Sequence, residues 1–291
     1  MRLGGVRESG NVEDRRGFGL GRGGMAAGGG CGTLIVIILA LIFGVDPSQF
    51  LSGGDAGPAG GPAPASRPGG APAGARQDDE ESRFVRRVLT TTEDVWKEVF
   101  RRNGEAYREP TLVIFSQQVQ SACGRAGASV GPFYCPADQK VYIDLTFFQE
   151  LSSRFRAPGD FAQGYVIAHE VGHHVQNLLG TSDKVTNLQR RARSEAQSND
   201  LSVRLELQAD CYAGVWGFHA RQQNILDPGD LEEALGAATA IGDDRLQRET
   251  QGYAVPDSFT HGSSAQRTRW FRQGFESGDL RRCDTFSARS L

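Results

Sequence analysis

Most of the short motifs that betray an enzyme class are missing from this 291-residue chain. None of its five cysteines stands in Cys-x-x-Cys spacing, which removes the common thiolate zinc site. No glycine-rich loop follows a strand pattern and opens a helix, so a nucleotide phosphate has no obvious cradle. No serine or cysteine lies in a recognisable nucleophile motif, and no internal repeat is found. The net charge is −3 with a pI near 6.0. No basic stretch is interleaved with aromatics beyond the N-terminal third, so nucleic acid is excluded as an expected partner. Histidine is scarce, at five residues, and its placement is therefore informative.

Two of those five stand in the run His169, Glu170, Val171, Gly172, His173. At i and i+4 on a helix, two imidazoles share one face and rise ~6 Å apart, so both can converge on one ion. Glu170 projects about 100° round the helix, where it can take a proton from a metal-bound water rather than bind the metal itself. An apolar stripe of Phe161, Tyr165, Ala168, Val171, Val175 and Leu179 predicts an amphipathic helix from about Phe161 to Leu179. Pro158, Gly159 and Asp160 precede it, and Gly180 follows as a C′ residue. Gly172, without a side chain, lets another helix approach the metal face or simply packs in the core.

A catalytic zinc takes three protein ligands and leaves one position for water. A second apolar helix is expected from Leu201 to Gln222, carrying Glu206 and Asp210 at i and i+4 among Leu205, Leu207, Ala209, Tyr212, Val215 and Trp216. Acids in so apolar a helix need partners. Glu206 as third ligand and Asp210 as acceptor from a ligand-His N–H satisfy both. His174, His219 and His261 are the rivals for the third place. His174 points off the metal face as a surface or hydrogen-bonded residue, and His219 sits at the far end of the second helix.

The segments YVIAHEVGHHVQNLLG from Tyr165, ELQADCYAGVWG from Glu206 and SFTHGSSAQRTRWF from Ser258 resemble the neutral zinc metallopeptidase family of bacteria, the match running from about Arg83 to Phe286. The resemblance implies a zincin-like fold with His169, His173 and Glu206 as zinc ligands, Glu170 as general base and Asp210 behind a ligand. The third segment also reads independently. Ser263 and Gln266 have capping-box spacing and open a helix through Arg267, Trp270, Phe271 and Phe275. His261, just before that N-terminus, is placed to donate to the oxyanion formed when water attacks a peptide carbonyl. Arg267 and Tyr253 are weaker candidates for that task. Asp243 and Asp244 after Gly242 read as a solvated helix-end pair.

The N-terminal third differs in composition. Leu34 to Phe43 is uninterruptedly apolar, and Gly23 to Val45 is uncharged over a length that can cross a bilayer. Five arginines precede it against three acids, which predicts a cytoplasmic tail at 1–22, an uncleaved anchor at 23–45 and an outward-facing remainder. The 46–78 stretch, rich in Gly, Ala and Pro, is expected to be a linker, and 79–291 a single domain. Four cysteines fall in that domain, which permits disulfides Cys123 with Cys135 and Cys211 with Cys283 in an oxidising compartment.

Helices are expected at Glu80 to Leu89 and Thr92 to Arg102. Strands are expected at Thr111 to Phe115, Pro132 to Cys135 and Val141 to Leu145, one edge being free to take an extended substrate. Strands first and helices after predict an α+β class, mostly helical with a small sheet, behind a single N-terminal membrane helix. The expected function is a membrane-anchored, zinc-dependent endopeptidase acting on protein or peptide substrates in the periplasm or outside the cell. A non-catalytic zincin-fold scaffold and a zinc amidase of peptidoglycan peptides are the alternatives.

Overall fold

The computed structural model describes residues 1–17 and 79–291. Strand β1 (Val12–Asp14) precedes helix α1 (Glu80–Arg102), followed by strands β2 (Thr111–Phe115), β3 (Gln118–Ser121), β4 (Gly124–Gly127), β5 (Phe133–Cys135) and β6 (Lys140–Asp144). The rest is helical: α2 (Thr146–Ser153), α3 (Asp160–Leu178), α4 (Thr181–Gln189), α5 (Glu195–Gln222), α6 (Asp230–Ala240), α7 (Asp243–Gln251) and α8 (Ser264–Ser277). The strands-then-helices order gives the expected α+β class.

The main sheet has the order β1, β2, β6, β5, with β1/β2 and β2/β6 parallel and β5/β6 antiparallel. Period-two alternation splits β2 and β6 between two cores. Leu112, Ile114, Val141 and Ile143 face the main core with α1 and the later helices. Val113, Phe115 and Tyr142 face a smaller core closed by the β3/β4 hairpin, with Val119, Ala126 and Phe133. The disulfide Cys123–Cys135 ties that hairpin to β5, and Cys211–Cys283 ties α5 to the C-terminal segment, so both expected pairings are formed.

Two expected helices at 80–89 and 92–102 are one. The β-branched run Thr90 to Thr92 does not break it, because the Thr91 and Thr92 hydroxyls donate to Val88 O and Leu89 O inside the helix. Trp216 Nε1 in turn donates to Thr91 Oγ1 at 2.9 Å, fastening α5 to α1. Helix α5 starts a turn and a half earlier than expected, at the Ser194 cap, whose side chain accepts from Gln197 N.

The larger correction concerns residues 1–17. The sequence reading set 1–22 apart as a tail on the far side of an anchor, yet β1 pairs with β2 in register Val12 with Leu112 to Asp14 with Ile114. Leu3 is buried in the main core, Ser9 Oγ donates to buried Glu93, and the Met1 ammonium donates to Asp160 Oδ2 at the start of α3. Arg16 Nη1 meets Asp79 Oδ2 at 2.5 Å, so the described segments rejoin at one point. A lone strand of three residues carries no period for sequence to reveal. Residues 1–17 and 79–291 therefore share one folded body. The 23–45 anchor and the 46–78 linker fall outside the described residues. Among the described residues no helix is long and apolar enough to cross a membrane.

Candidate metal centre

Helix α3 is the spine of the site. Phe161, Tyr165, Ala168, Val171 and Val175 are fully buried along one stripe, each large side chain contributing about 1.5–3 kcal/mol by burial. Phe161 stacks on Trp216 of α5 with ring centroids 5.2 Å apart. Gly180, in the left-handed region at φ 72°, stops the helix as expected. Gly172 permits a close crossing, since a Cβ there would stand 3.0 Å from Ala209 O. That contact sets the α3 face carrying His169 and His173 against the α5 face carrying Glu206.

Both imidazoles reach the same carboxylate. His169 Nε2 lies 3.1 Å from Glu206 Oε2, and His173 Nε2 lies 3.4 Å from Glu206 Oε1. Ligand atoms of the three residues all fall within 4.8 Å of one another. Ligands held ~2.1 Å from a tetrahedral ion sit ~3.4 Å apart, so the two nitrogen-to-carboxylate spacings match an ion of zinc size. Two nitrogens and one carboxylate leave a fourth position for water or substrate. Of the rivals for third ligand, His219 is half-buried and contacts Gly278 O at 3.3 Å, remote from this cluster. His174 is fully buried, its Nε2 facing Arg108 O at 2.6 Å and its Nδ1 facing Tyr134 Oη at 3.0 Å, which leaves no nitrogen for a metal.

The electrostatics are those of a cation site. Burial opposes a proton on His169, but Asp210 and Glu206 outweigh it and hold its pKa up to about 10. His173 is raised against burial by Glu206. Burial pushes Glu206 up, yet His173 and His261 overcome this and hold it well below the usual carboxylate range. Protons on the two rings thus stand in for the positive charge an ion brings. Glu170 behaves differently: burial lifts its pKa, only partly offset by His173 and His169. A carboxyl raised this way is a better proton acceptor at neutral pH.

Behind His169 lies a network only partly foreseen. His169 Nδ1 is 2.8 Å from Asp210 Oδ1, and a carboxylate only accepts, so Nδ1 carries a hydrogen and Nε2 is the nitrogen an ion would claim by displacing its proton. Asp210 also accepts from Tyr165 Oη at 2.5 Å and from Arg267 Nε and Nη2 at 2.8 and 2.9 Å. Arg267 is buried behind the site, where it is the counter-ion of Asp210. Tyr165 was legible only as a core residue of the stripe. Behind His173, Gln176 Oε1 accepts from Nδ1 at 2.9 Å, a partner one helical turn on that sequence reading passed over.

His261 joins the cluster from the loop before α8, where the capping box of Ser263 and Gln266 is present. Burial lowers its proton affinity, but Glu206 and Asp243 raise it further. Asp243 is not solvated as expected: it is 3% exposed, and its Oδ2 accepts from the backbone N–H of Thr260, His261 and Gly262 at 2.7, 2.7 and 3.0 Å. Its Oδ1 lies 3.4 Å from His261 Nδ1. Asp244 Oδ1 accepts from Ser264 N at 2.7 Å, so both expected surface acids clamp the loop. Tyr253 is 62% exposed and joins none of these contacts.

The family model described as "Putative neutral zinc metallopeptidase" matches residues 1–286. An Escherichia coli K12 protein, uncharacterized protein YpfJ, is 50% identical over 293 residues, covering 98% of this chain and 99% of the relative. A Mycobacterium tuberculosis H37Rv protein, uncharacterized protein Rv2575, is 42% identical over 267 residues, with 87% and 86% coverage. No solved structure matches the chain.

Proposed function

The chain belongs to the neutral zinc metallopeptidase family, and on that footing we propose that it hydrolyses internal peptide bonds with His169, His173 and Glu206 holding zinc and Glu170 acting as general base. The observation that carries this reading is the convergence of two imidazole Nε2 atoms on the Glu206 carboxylate, with the buried, proton-seeking Glu170 beside them. Zinc, when bound, supplies a Lewis acid that polarises the scissile carbonyl and acidifies water. Asp210, neutralised by Arg267, holds His169 in the Nδ1–H tautomer. Glu170 takes a proton from the attacking water and returns it to the leaving amine. His261, held by Asp243, donates to the oxygen that gains negative charge as the carbonyl is attacked.

The two disulfides support action in an oxidising compartment outside the cytoplasm. Membrane association through the uncharged run at 23–45 belongs to the same reading, under the constraint that residues 1–17 and 79–291 stay on one side. The test is zinc analysis of the purified chain together with casein or peptide cleavage by wild type and Glu170→Gln. One zinc per chain in both, with cleavage reduced about 10²- to 10⁴-fold in the variant, is expected. Equal cleavage by both removes the mechanism.

A further inference from the structure

His173 is oriented by a line of hydrogen bonds that runs away from the metal centre and ends at a disulfide. Gln176 Oε1 faces His173 Nδ1 at 2.9 Å, while its Nε2 donates to Leu205 O at 2.7 Å and to Gln208 Oε1 at 3.1 Å. Gln208 Nε2 donates in turn to Cys283 O at 3.0 Å, and Cys283 is bonded to Cys211 on α5. Gln176 and Gln208 are buried, at 0% and 7% exposed.

The polarity of this line is forced. A backbone carbonyl only accepts, so Leu205 O and Cys283 O each require an NH₂ group facing them. That fixes both amides with their oxygens on the other side, and Gln176 then presents only an acceptor to His173. Nδ1 must carry a hydrogen, which leaves Nε2, the nitrogen facing Glu206, as the one an ion would claim by displacing its proton. Asp210 achieves the same for His169 with a charge; here two neutral side chains do it, and their direction is inherited from two carbonyls.

We propose that Gln176 and Gln208 are positioning residues that set the metal-binding tautomer of His173, and that the Cys211–Cys283 bond, by fixing the Cys283 carbonyl, makes zinc affinity depend on its oxidation. This rests on His173 being a zinc ligand. Reduction of the disulfide takes up two electrons and two protons from a dithiol reductant, giving two thiols and an oxidised reductant. The 283–285 segment then loses its covalent tie to α5 and is held there by non-covalent contacts, among them Thr285 Oγ1 donating to Arg204 O at 2.7 Å and Arg204 Nη1 donating to Thr285 O at 2.5 Å.

The experiment is a zinc-affinity titration of the full chain against a competing chelating dye, with circular dichroism as the folding control. Gln176→Leu is expected to weaken zinc about 10- to 100-fold, the range for loss of a hydrogen bond to a ligand histidine, and Gln208→Met several-fold. The Gln176→Leu, Gln208→Met pair should be no weaker than Gln176→Leu alone, because Gln208 acts only through Gln176. Cys211→Ser with Cys283→Ser should weaken zinc several-fold in the wild-type background and not further when Gln208→Met is present. Additive losses, or wild-type affinity in Gln208→Met, overturn the proposal. If a variant fails to fold, ¹⁵N shifts of the His173 ring in the zinc-loaded wild type decide: hydrogen on Nδ1 supports the relay, and hydrogen on Nε2 overturns it. Absence of stoichiometric zinc in the wild type would instead sink the function proposed above, so the two failures are distinguishable.

Discussion

Arg267 and Asp210 form a buried two-point ion pair, Nε to Oδ2 at 2.8 Å and Nη2 to Oδ1 at 2.9 Å, immediately behind His169. The pair shares its charge with Tyr165 and His169, so its two members are not equivalent. Arg267→Met leaves Asp210 buried with one fewer cation and is expected to cost roughly 3–5 kcal/mol of stability. Asp210→Asn frees His169 Nδ1 from its carboxylate and is expected to weaken zinc about 10- to 100-fold. Urea unfolding and a zinc titration on each variant separate the two effects. Equal stability of Arg267→Met and wild type would show that the arginine is not needed as a counter-ion.

Asp243 gathers three backbone N–H groups of the His261 loop on one oxygen. Asp243→Asn keeps one acceptor oxygen but replaces a charge-assisted bond set with a neutral one. The expected outcome is kcat lower by about tenfold with zinc content unchanged, and His261→Ala should lower it by a similar factor without further loss in the double variant. Steady-state kinetics with a quenched peptide check this. Unchanged kcat in both would remove His261 from the chemistry.

Helices α5 and α8 cross at two glycines. A Cβ on Gly214 would fall on Phe271 O, and one on Gly274 would fall on Cys211 O, backbone atoms that cannot step aside. Gly214→Ala and Gly274→Ala are each expected to destabilise by about 1–3 kcal/mol, and to lower activity by separating Arg267 from Asp210. Thermal unfolding reads the first effect. A melting temperature within 1 °C of wild type, a shift of about 0.3–0.5 kcal/mol, would show that the helices part freely.

His174 is held neutral. Burial pushes its pKa down to about 4, outweighing the hydrogen bond that Nε2–H donates to Arg108 O. The unfolded chain binds a proton at about 6.5, so between pH 6.5 and 4 the unfolded state holds more protons and stability falls as pH falls. Above pH 6.5 the contribution is fully present; its complete loss below pH 4 is roughly 3 kcal/mol, of which about 2 kcal/mol is gone by pH 4.5. Urea unfolding of chelator-treated protein at pH 7 and pH 4.5 measures it. His174→Gln should flatten that dependence, and an equally steep one would assign the slope to other groups.

How much of this was legible from sequence varies by residue. His169, Glu170, His173, Glu206 and Asp210 follow from spacing within single helices, because i and i+4 positions share a face whatever the fold. Both disulfide partners could be chosen since four cysteines offered few choices. Gln176, Tyr165 and Asp243 were passed over as functional residues because each acts on another residue rather than on an ion, and a hydrogen-bond partner across the core leaves no period in the sequence. That residues 1–17 pack with the domain was hidden for the same reason: a three-residue strand is specified by the β2 edge it joins.

Local chain chemistry, then, decided which side chains stand together on each helix face, and with it the donor set available to a metal. Only the tertiary structure decided that α3 and α5 meet at Gly172 and Ala209, that the Glu206 carboxylate lies between two imidazoles, and that residues 1–17 close the sheet. The division has a physical origin. Helical periodicity is a property of neighbouring backbone bonds, whereas the approach of two helices or strands depends on shapes and hydrogen-bonding groups that are distant in the chain.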